Sequence, residues 1–339
     1  MNLAELNRVA NTLVAPGKGV LAADESAGTV KKRFDVIGVE CTEDNRRDYR
    51  ELLFRSKGMA NISGVILFDE TIRQMAKDGT PLVEVIEAAG TLPGIKVDKG
   101  TKPLPFCPGE VITEGLDGLG ERLAEYRGLG AKFAKWRAVI DIGAGIPTYA
   151  CVNANAHALA LYAALCQSED IAPIVEPEVL MDGDHDIDRC ANVTEFVLKT
   201  VYEQLYYARV KLEGTVLKPN MVVPGMKSSK RASVEQVADM TVRVLRACVP
   251  SAVPGIAFLS GGQSDEEATA HLDAINRIDD LPWKVTFSYG RALQAAPQNA
   301  WSGKSENVAA AQRAFSHRAH MNGLATLGQW KADMEKKAA

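Results

Sequence analysis

The sequence predicts an α/β protein built as a single (β/α)₈ barrel, and three observations carry that expectation. Eight short apolar runs recur along the 339 residues, each followed by polar residues and a longer helical pattern. No low-complexity segment or linker divides the chain, and Gly and Pro are scattered through it. The runs carry polar or ionisable side chains toward their carboxyl ends, where barrel enzymes place their catalytic groups. At roughly 150 residues per domain the length would allow two domains, but α/β barrels routinely exceed that as one unit. A doubly wound sheet also alternates strand and helix, yet its ligand sits at one switch point and rarely needs charges on so many strands. The expected organisation is one domain over 1–339, with a helical extension at about 1–18 and C-terminal helices at about 305–339.

Taken in order, GVLAADES (19–26) brings Asp24, and GVILFDE (64–70) brings Asp69. GIKVD (94–98) follows with Lys96 and Asp98, then FAKWRAVID (133–141) with Lys135 and Arg137 inside it. IAPIVEPE (171–178) carries Glu176 and Glu178, and GTVLKPN (214–220) carries Lys218. GIAFLSGG (255–262) closes on Ser260, and KVTFSYGR (284–291) on Arg291. Several runs open with Gly and are rich in Val and Ile, as parallel strands buried on both faces are. Helical patterns at 153–167, 193–212 and 233–247 separate the later runs.

Composition narrows the function. Hydrophobic residues make up 46% and charged residues 24%, enough for a sizeable core in an ordinary globular protein. With 39 basic against 43 acidic residues the net charge is −4, which argues against a dedicated nucleic-acid binder. The six cysteines form no CxxC pair and read as thiols of a reducing compartment, so a cytoplasmic location is expected. The start lacks the apolar stretch of a secretory signal, and the longest charge-free stretch, 142–168, contains Pro147, Asn153, Asn155 and His157, which suit no membrane span. The five histidines show no HExxH spacing, and MDGDHDID (181–188) fails as a calcium loop because Ile187 and Val193 stand where Gly and Glu are needed. No metal or cofactor is expected.

Charges on apolar strands need a reason. Lys135 and Arg137 are two apart and share one strand face, as do Glu176 and Glu178 on theirs. If those faces point inward, cations and carboxylates meet at one mouth, either as a structural ion-pair network or as catalytic machinery. Lys218 has no acidic residue nearer in sequence than Glu213. An amine held dry beside another cation loses its proton readily and attacks carbonyls, although a lysine stem can also cross a core to put its ammonium in water. Ser260-Gly261-Gly262 and Gly290-Arg291 follow the seventh and eighth runs, where barrels often build a phosphate site from backbone N–H groups. Arg291 would add a bidentate fork there. A Gly-Gly pair alone is more often a turn.

LAADES, GIKVDKG, FAKWR, IVEPE, LKPNM, FLSGGQS and FSYGRALQ, in this order, resemble class I fructose-bisphosphate aldolase, and the similarity runs from VAPGKG to WSGKSENV. The resemblance implies a metal-independent TIM-barrel lyase of glycolysis and gluconeogenesis, usually a homotetramer, acting on phosphorylated sugars. It would cleave fructose 1,6-bisphosphate to dihydroxyacetone phosphate and glyceraldehyde 3-phosphate. By motif, Lys218 resembles the Schiff-base nucleophile, Glu176 the acid/base for the carbinolamine hydroxyl, and Asp24 the base for the C4 hydroxyl. Lys135 resembles the cation beside the nucleophile, with Glu178 as its expected carboxylate partner. Ser260, Gly261, Gly290 and Arg291 match the C1-phosphate site, and Ser26, Thr29, Arg33, Lys96 and Arg137 the C6-phosphate end. Thr29 stands where the familiar animal enzymes have serine, which keeps the hydroxyl.

One departure is visible. Familiar animal members end in a mobile tail whose terminal tyrosine helps protonate the enamine, whereas the last tyrosine here is Tyr289. Enamine protonation then falls to Glu176 or water, and loss of residues 331–339 is expected to cost little turnover. A monophosphate-specific Schiff-base aldolase and a silent scaffold binding anionic polymers are the competing readings. The second is disfavoured because Asp24, Lys135, Glu176 and Lys218 are all present.

Overall fold

The computed structural model describes residues 1–337. All eight apolar runs contribute strands to one closed parallel barrel. In chain order the strands are β1 (Gly19–Ala23), β2 (Ile62–Leu67), β3 (Leu92–Lys96), β4 (Thr101–Pro103), β5 (Val111–Thr113), β6 (Phe133–Ile140), β7 (Ala172–Val179), β8 (Val216–Leu217), β9 (Gly255–Phe258) and β10 (Lys284–Tyr289). The barrel closes in the order β1-β10-β9-β8-β7-β6-β3-β2, while β4 and β5 form a separate antiparallel hairpin. That hairpin went unforeseen, because three-residue strands flanking Pro105 and Pro108 carry no alternation to read. β8 is the shortest barrel strand: Lys218 N–H still donates to the Val175 carbonyl, but Pro219 brings no N–H to extend the ladder.

The helical expectations at 153–167 and 233–247 fall inside Tyr149–Ser168 and Val234–Cys248, and 193–212 overlaps Ile187–Tyr207. Their true starts are capping events: Thr148, Asp186 and Ser233 each accept a backbone N–H with the side chain. These helices cover the outside of the barrel, where Trp136 of β6 packs its ring 5.6 Å from that of Tyr162.

Inside the barrel, side-chain character changes with height. The amino-terminal half is a dry cluster in which Val20, Ile66, Phe133, Ile174 and Val216 meet Leu6, Val9 and Leu13 of the N-terminal helix Leu3–Leu13. The Phe133 ring has room because β3 offers a glycine: a Cβ on Gly94 would lie 2.3 Å from that ring. The carboxyl-terminal half is charged. Along β6 the inward residues run Phe133, Lys135, Arg137, Val139, and along β7 they run Ala172, Ile174, Glu176, Glu178. The apolar floor therefore turns into an ionic ceiling within two residues of strand.

Candidate active site

The charged ceiling opens into a cavity of about 910 Å³ at the carboxyl ends of the strands. Asp24, Lys135, Glu176, Glu178 and Lys218 line it, together with Ser26, Thr29, Arg33, Lys96, Arg137, Ser260, Gly261, Gly290 and Arg291. Such residues converge because β-strands alternate, so two inward positions per strand reach the mouth.

Four of the central side chains form a row of alternating charge. Lys135 Nζ lies 2.7 Å from Asp24 Oδ2 and 3.3 Å from Glu176 Oε2. Lys218 Nζ lies 3.1 Å from Glu176 Oε1. All but Asp24 are buried, and Asp24 nearly so. Burial alone would raise the Asp24 pKa, but the charges of Lys135, Lys218 and Lys96 outweigh it and hold the carboxyl at about 2. Burial likewise works against the Lys135 ammonium, yet Asp24 and Glu176 push its pKa well above the usual lysine value. Lys135 is thus a fixed cation and Asp24 a fixed anion at neutral pH.

Two expectations are corrected here. Glu178 is not the partner of Lys135; it pairs with Arg137. The register explains the exchange, because Arg137 stands level with Glu176 and Lys135 with Ile174. Each cation climbs one layer toward the mouth, so Lys135 reaches Glu176 and Arg137 reaches Glu178. Nor is Lys218 in an apolar surround: Glu176, remote in sequence, touches its amine directly.

The rest of the lining falls into two groups that differ in construction. In the first, loop 259–264 runs from β9 into the helix Asp265–Asn276, which Ser264 and Glu267 close with a capping box. Gly290 caps the helix Arg291–Trp301 beside it. The Arg291 guanidinium donates to the Gln263 carbonyl and lies 3.2 Å from Asp265, whose carboxyl burial raises despite the two nearby arginines Arg291 and Arg318. Gly262 has φ +73° and its Cβ would fall 2.1 Å from Met181 Cγ. Gly262→Ala is therefore expected to lower stability by about 1–3 kcal/mol and loosen this loop, read as a reduced urea midpoint and weaker phosphate inhibition. An unchanged midpoint would contradict it.

In the second, which reaches Gly290 through Arg33, Ser26 caps the helix Ala27–Val36 and its hydroxyl lies 3.2 Å from that of Thr29. Arg33 pairs with Glu25, and Lys96 with Asp98. Arg137 N–H and Gly100 N–H both donate to the Asp98 carboxylate. Glu25 and Asp98 are the residues that sequence reasoning left unassigned, although both stand inside motifs it quoted. A charge inside a quoted motif was the available signal. Among the described residues no group of three or more His, Cys, Asp and Glu side chains is placed to hold a metal ion. No described helix is long and apolar enough to cross a membrane.

Comparison with known proteins supplies the remaining evidence. The family description Glycolytic: Fructose-bisphosphate aldolase class-I matches residues 5–339. A probable fructose-bisphosphate aldolase class 1 of Xanthomonas campestris is 55% identical over 98% of this chain and all of its own length. The fructose-bisphosphate aldolase of Drosophila melanogaster is also 55% identical, over 97% of this chain and 91% of its own. A solved fructose-bisphosphate aldolase of Plasmodium falciparum superposes with a TM-score of 0.96 at 50% identity, covering 97% of this chain and 96% of that one. Matches of this extent and identity place the chain in the class I fructose-bisphosphate aldolase family.

Proposed function

We propose that the reversible cleavage of fructose 1,6-bisphosphate into dihydroxyacetone phosphate and glyceraldehyde 3-phosphate runs in this cavity through an imine on Lys218. The observation that carries the reading is Glu176 standing between Lys218 and Lys135, with Asp24 on the far side of Lys135. Glu176 takes a proton from the Lys218 ammonium at 3.1 Å, and the free amine adds to the C2 carbonyl of the open-chain sugar. Glu176 then returns a proton to the carbinolamine hydroxyl, which leaves as water. The resulting iminium withdraws electrons from C3. Asp24, held anionic by its neighbours, takes the C4 hydroxyl proton, the C3–C4 bond breaks, and its electron pair enters the iminium as an enamine. The aldehyde departs first. The proton that Asp24 took returns to C3 through water, directly or by way of Glu176, and hydrolysis of the imine frees dihydroxyacetone phosphate and Lys218.

Ser260, Gly261, Gly290 and Arg291 would hold the C1 phosphate, and Ser26, Thr29, Arg33, Lys96 and Arg137 the C6 phosphate. Clamping both ends fixes C2 over the amine, which converts an encounter into a near-unimolecular step. Glu178 would steer Arg137. The electron sink is the iminium, so the same reading makes the reaction metal-independent and free of cofactors. It also places the protein in the cytoplasm, in glycolysis and gluconeogenesis, as a homotetramer. Exposed Tyr206 and Tyr207, whose ring centroids lie 5.8 Å apart, offer an aromatic patch for such an assembly.

Borohydride reduction in the presence of dihydroxyacetone phosphate tests the reading. A single stable adduct mapping to Lys218, with turnover unaffected by a chelator, is the expected result. Absence of any adduct in folded protein would refute the imine.

A further inference from the structure

Behind the loop that leads to Arg291 lies a cluster the reaction chemistry does not use. The helix Val308–Ala325 carries His317 and Arg318, and the short turn Ala332–Lys337 lays Glu335 over both. Arg318 Nη1 donates to the Glu335 carboxylate at 2.5 Å and Trp330 Nε1 at 2.9 Å, while His317 Nε2 lies 2.8 Å away. Arg318 is buried, and among the described residues Glu335 is the one carboxylate within ion-pair reach of it. Its other arm, Nη2, donates to Thr269 Oγ1 at 2.8 Å.

Thr269 sits one turn into the helix Asp265–Asn276, and its hydroxyl lies 2.9 Å from the Asp265 carbonyl oxygen. The Asp265 carboxylate in turn holds Arg291 at 3.2 Å. Toward the far end of the same helix, Trp330 N–H donates to Asp273 Oδ1 at 2.8 Å. The C-terminal segment therefore grips, front and back, the helix whose first residue, Asp265, holds Arg291 of the cavity wall. A buried guanidinium without its carboxylate would be strongly unfavourable, so this grip depends on the Glu335 charge.

We propose that Glu335 is a positioning residue for phosphate binding: by holding Arg318 against Thr269 it sets the height of the Asp265–Asn276 helix and thereby aims Arg291 and loop 260–263. The proposal rests on the assignment of Arg291 to the C1 phosphate. Residues 331–339, whose loss is expected to cost little turnover, would on this proposal serve substrate affinity through Glu335; residues 338 and 339 of that stretch lie outside the described residues.

The test is made on the full-length protein with Glu335→Gln, which keeps the shape and acceptor oxygen but removes the charge. KM for fructose 1,6-bisphosphate and Ki for inorganic phosphate are expected to rise together, about five- to tenfold, with kcat changing less. Borohydride capture of phosphate-free dihydroxyacetone on Lys218 should stay at the parent level. Arg318→Lys, which preserves charge but loses one arm, should shift both constants in the same direction by a smaller factor. Unchanged KM and Ki in either folded variant would overturn the proposal, as would a loss of dihydroxyacetone capture equal to the loss with phosphorylated substrate. Arg291→Ala separates the layers: if it too leaves phosphate inhibition unchanged, the C1-phosphate assignment fails; if it alone weakens inhibition, only the positioning role fails.

Discussion

Replacing Lys218 with methionine is expected to lower kcat by about 10⁴–10⁶-fold, the scale of losing a covalent nucleophile. Methionine keeps the length and volume of the stem but cannot add to a carbonyl. The fold should survive, because Glu176 retains Lys135 at 3.3 Å and is not stranded as an unpaired buried charge. Binding of inorganic phosphate should persist, since Lys218 pairs with Glu176 and with none of the proposed phosphate ligands. Stopped assays with single-turnover sensitivity, together with calorimetric titration of inorganic phosphate, check both halves. Turnover within a hundredfold of the parent would mean that another amine carries the imine.

Replacing Lys135 with methionine should have the second-largest effect, and of a different kind. Lys135 is the cation between Asp24 and Glu176, so its removal leaves two buried carboxylates facing each other with only Lys218 and, at longer range, Lys96 acting against their repulsion. Breaking a buried pair from one side costs on the order of 3–5 kcal/mol, far more than an exposed bridge. The Asp24 pKa, now about 2, should rise, because burial pushes it up and its largest opposing charge is gone. The sign of the stability effect follows. A carboxyl depressed in the folded state contributes stability above its unfolded pKa of roughly 3.9, and that contribution fades as pH falls toward the folded value. In the parent this amounts to on the order of 2 kcal/mol, complete by pH 6 and lost between about pH 4 and pH 2. In the variant the loss should begin at higher pH, and the acid limb of kcat/KM should move the same way. Urea unfolding at several pH values and a pH–rate profile read the two shifts. Coincident acid limbs in parent and variant would show that Lys135 does not set the Asp24 charge.

The barrel was legible because its strands are marked twice, by apolar runs and by the ionisable residues those runs present at one end. The central site was legible for a related reason: spacing by two tells which side chains share a face. It does not tell their height. Hence Lys135 was matched to Glu178, when the register puts Glu176 within its reach and leaves Glu178 to Arg137. The charge touching Lys218 was invisible for the same reason, because Glu176 lies 42 positions away in sequence and meets it only through β7–β8 pairing. Least legible were the hairpin β4–β5 and the clasp at Glu335. The first has no periodicity to detect, and the second joins Glu335 to an arginine 17 positions earlier through a short 3₁₀ turn.

The apolar plug formed by Leu13, Phe133 and Ile174 has a consequence for traffic. A vessel stoppered at its base is filled and emptied through one neck. Under the covalent mechanism the three-carbon piece still tethered to the amine sits deepest, and the untethered piece must exit over it. Arrival in the synthetic direction must then follow the opposite sequence, ketone before aldehyde. Order of release is in this sense a property of the stopper as much as of the chemistry above it.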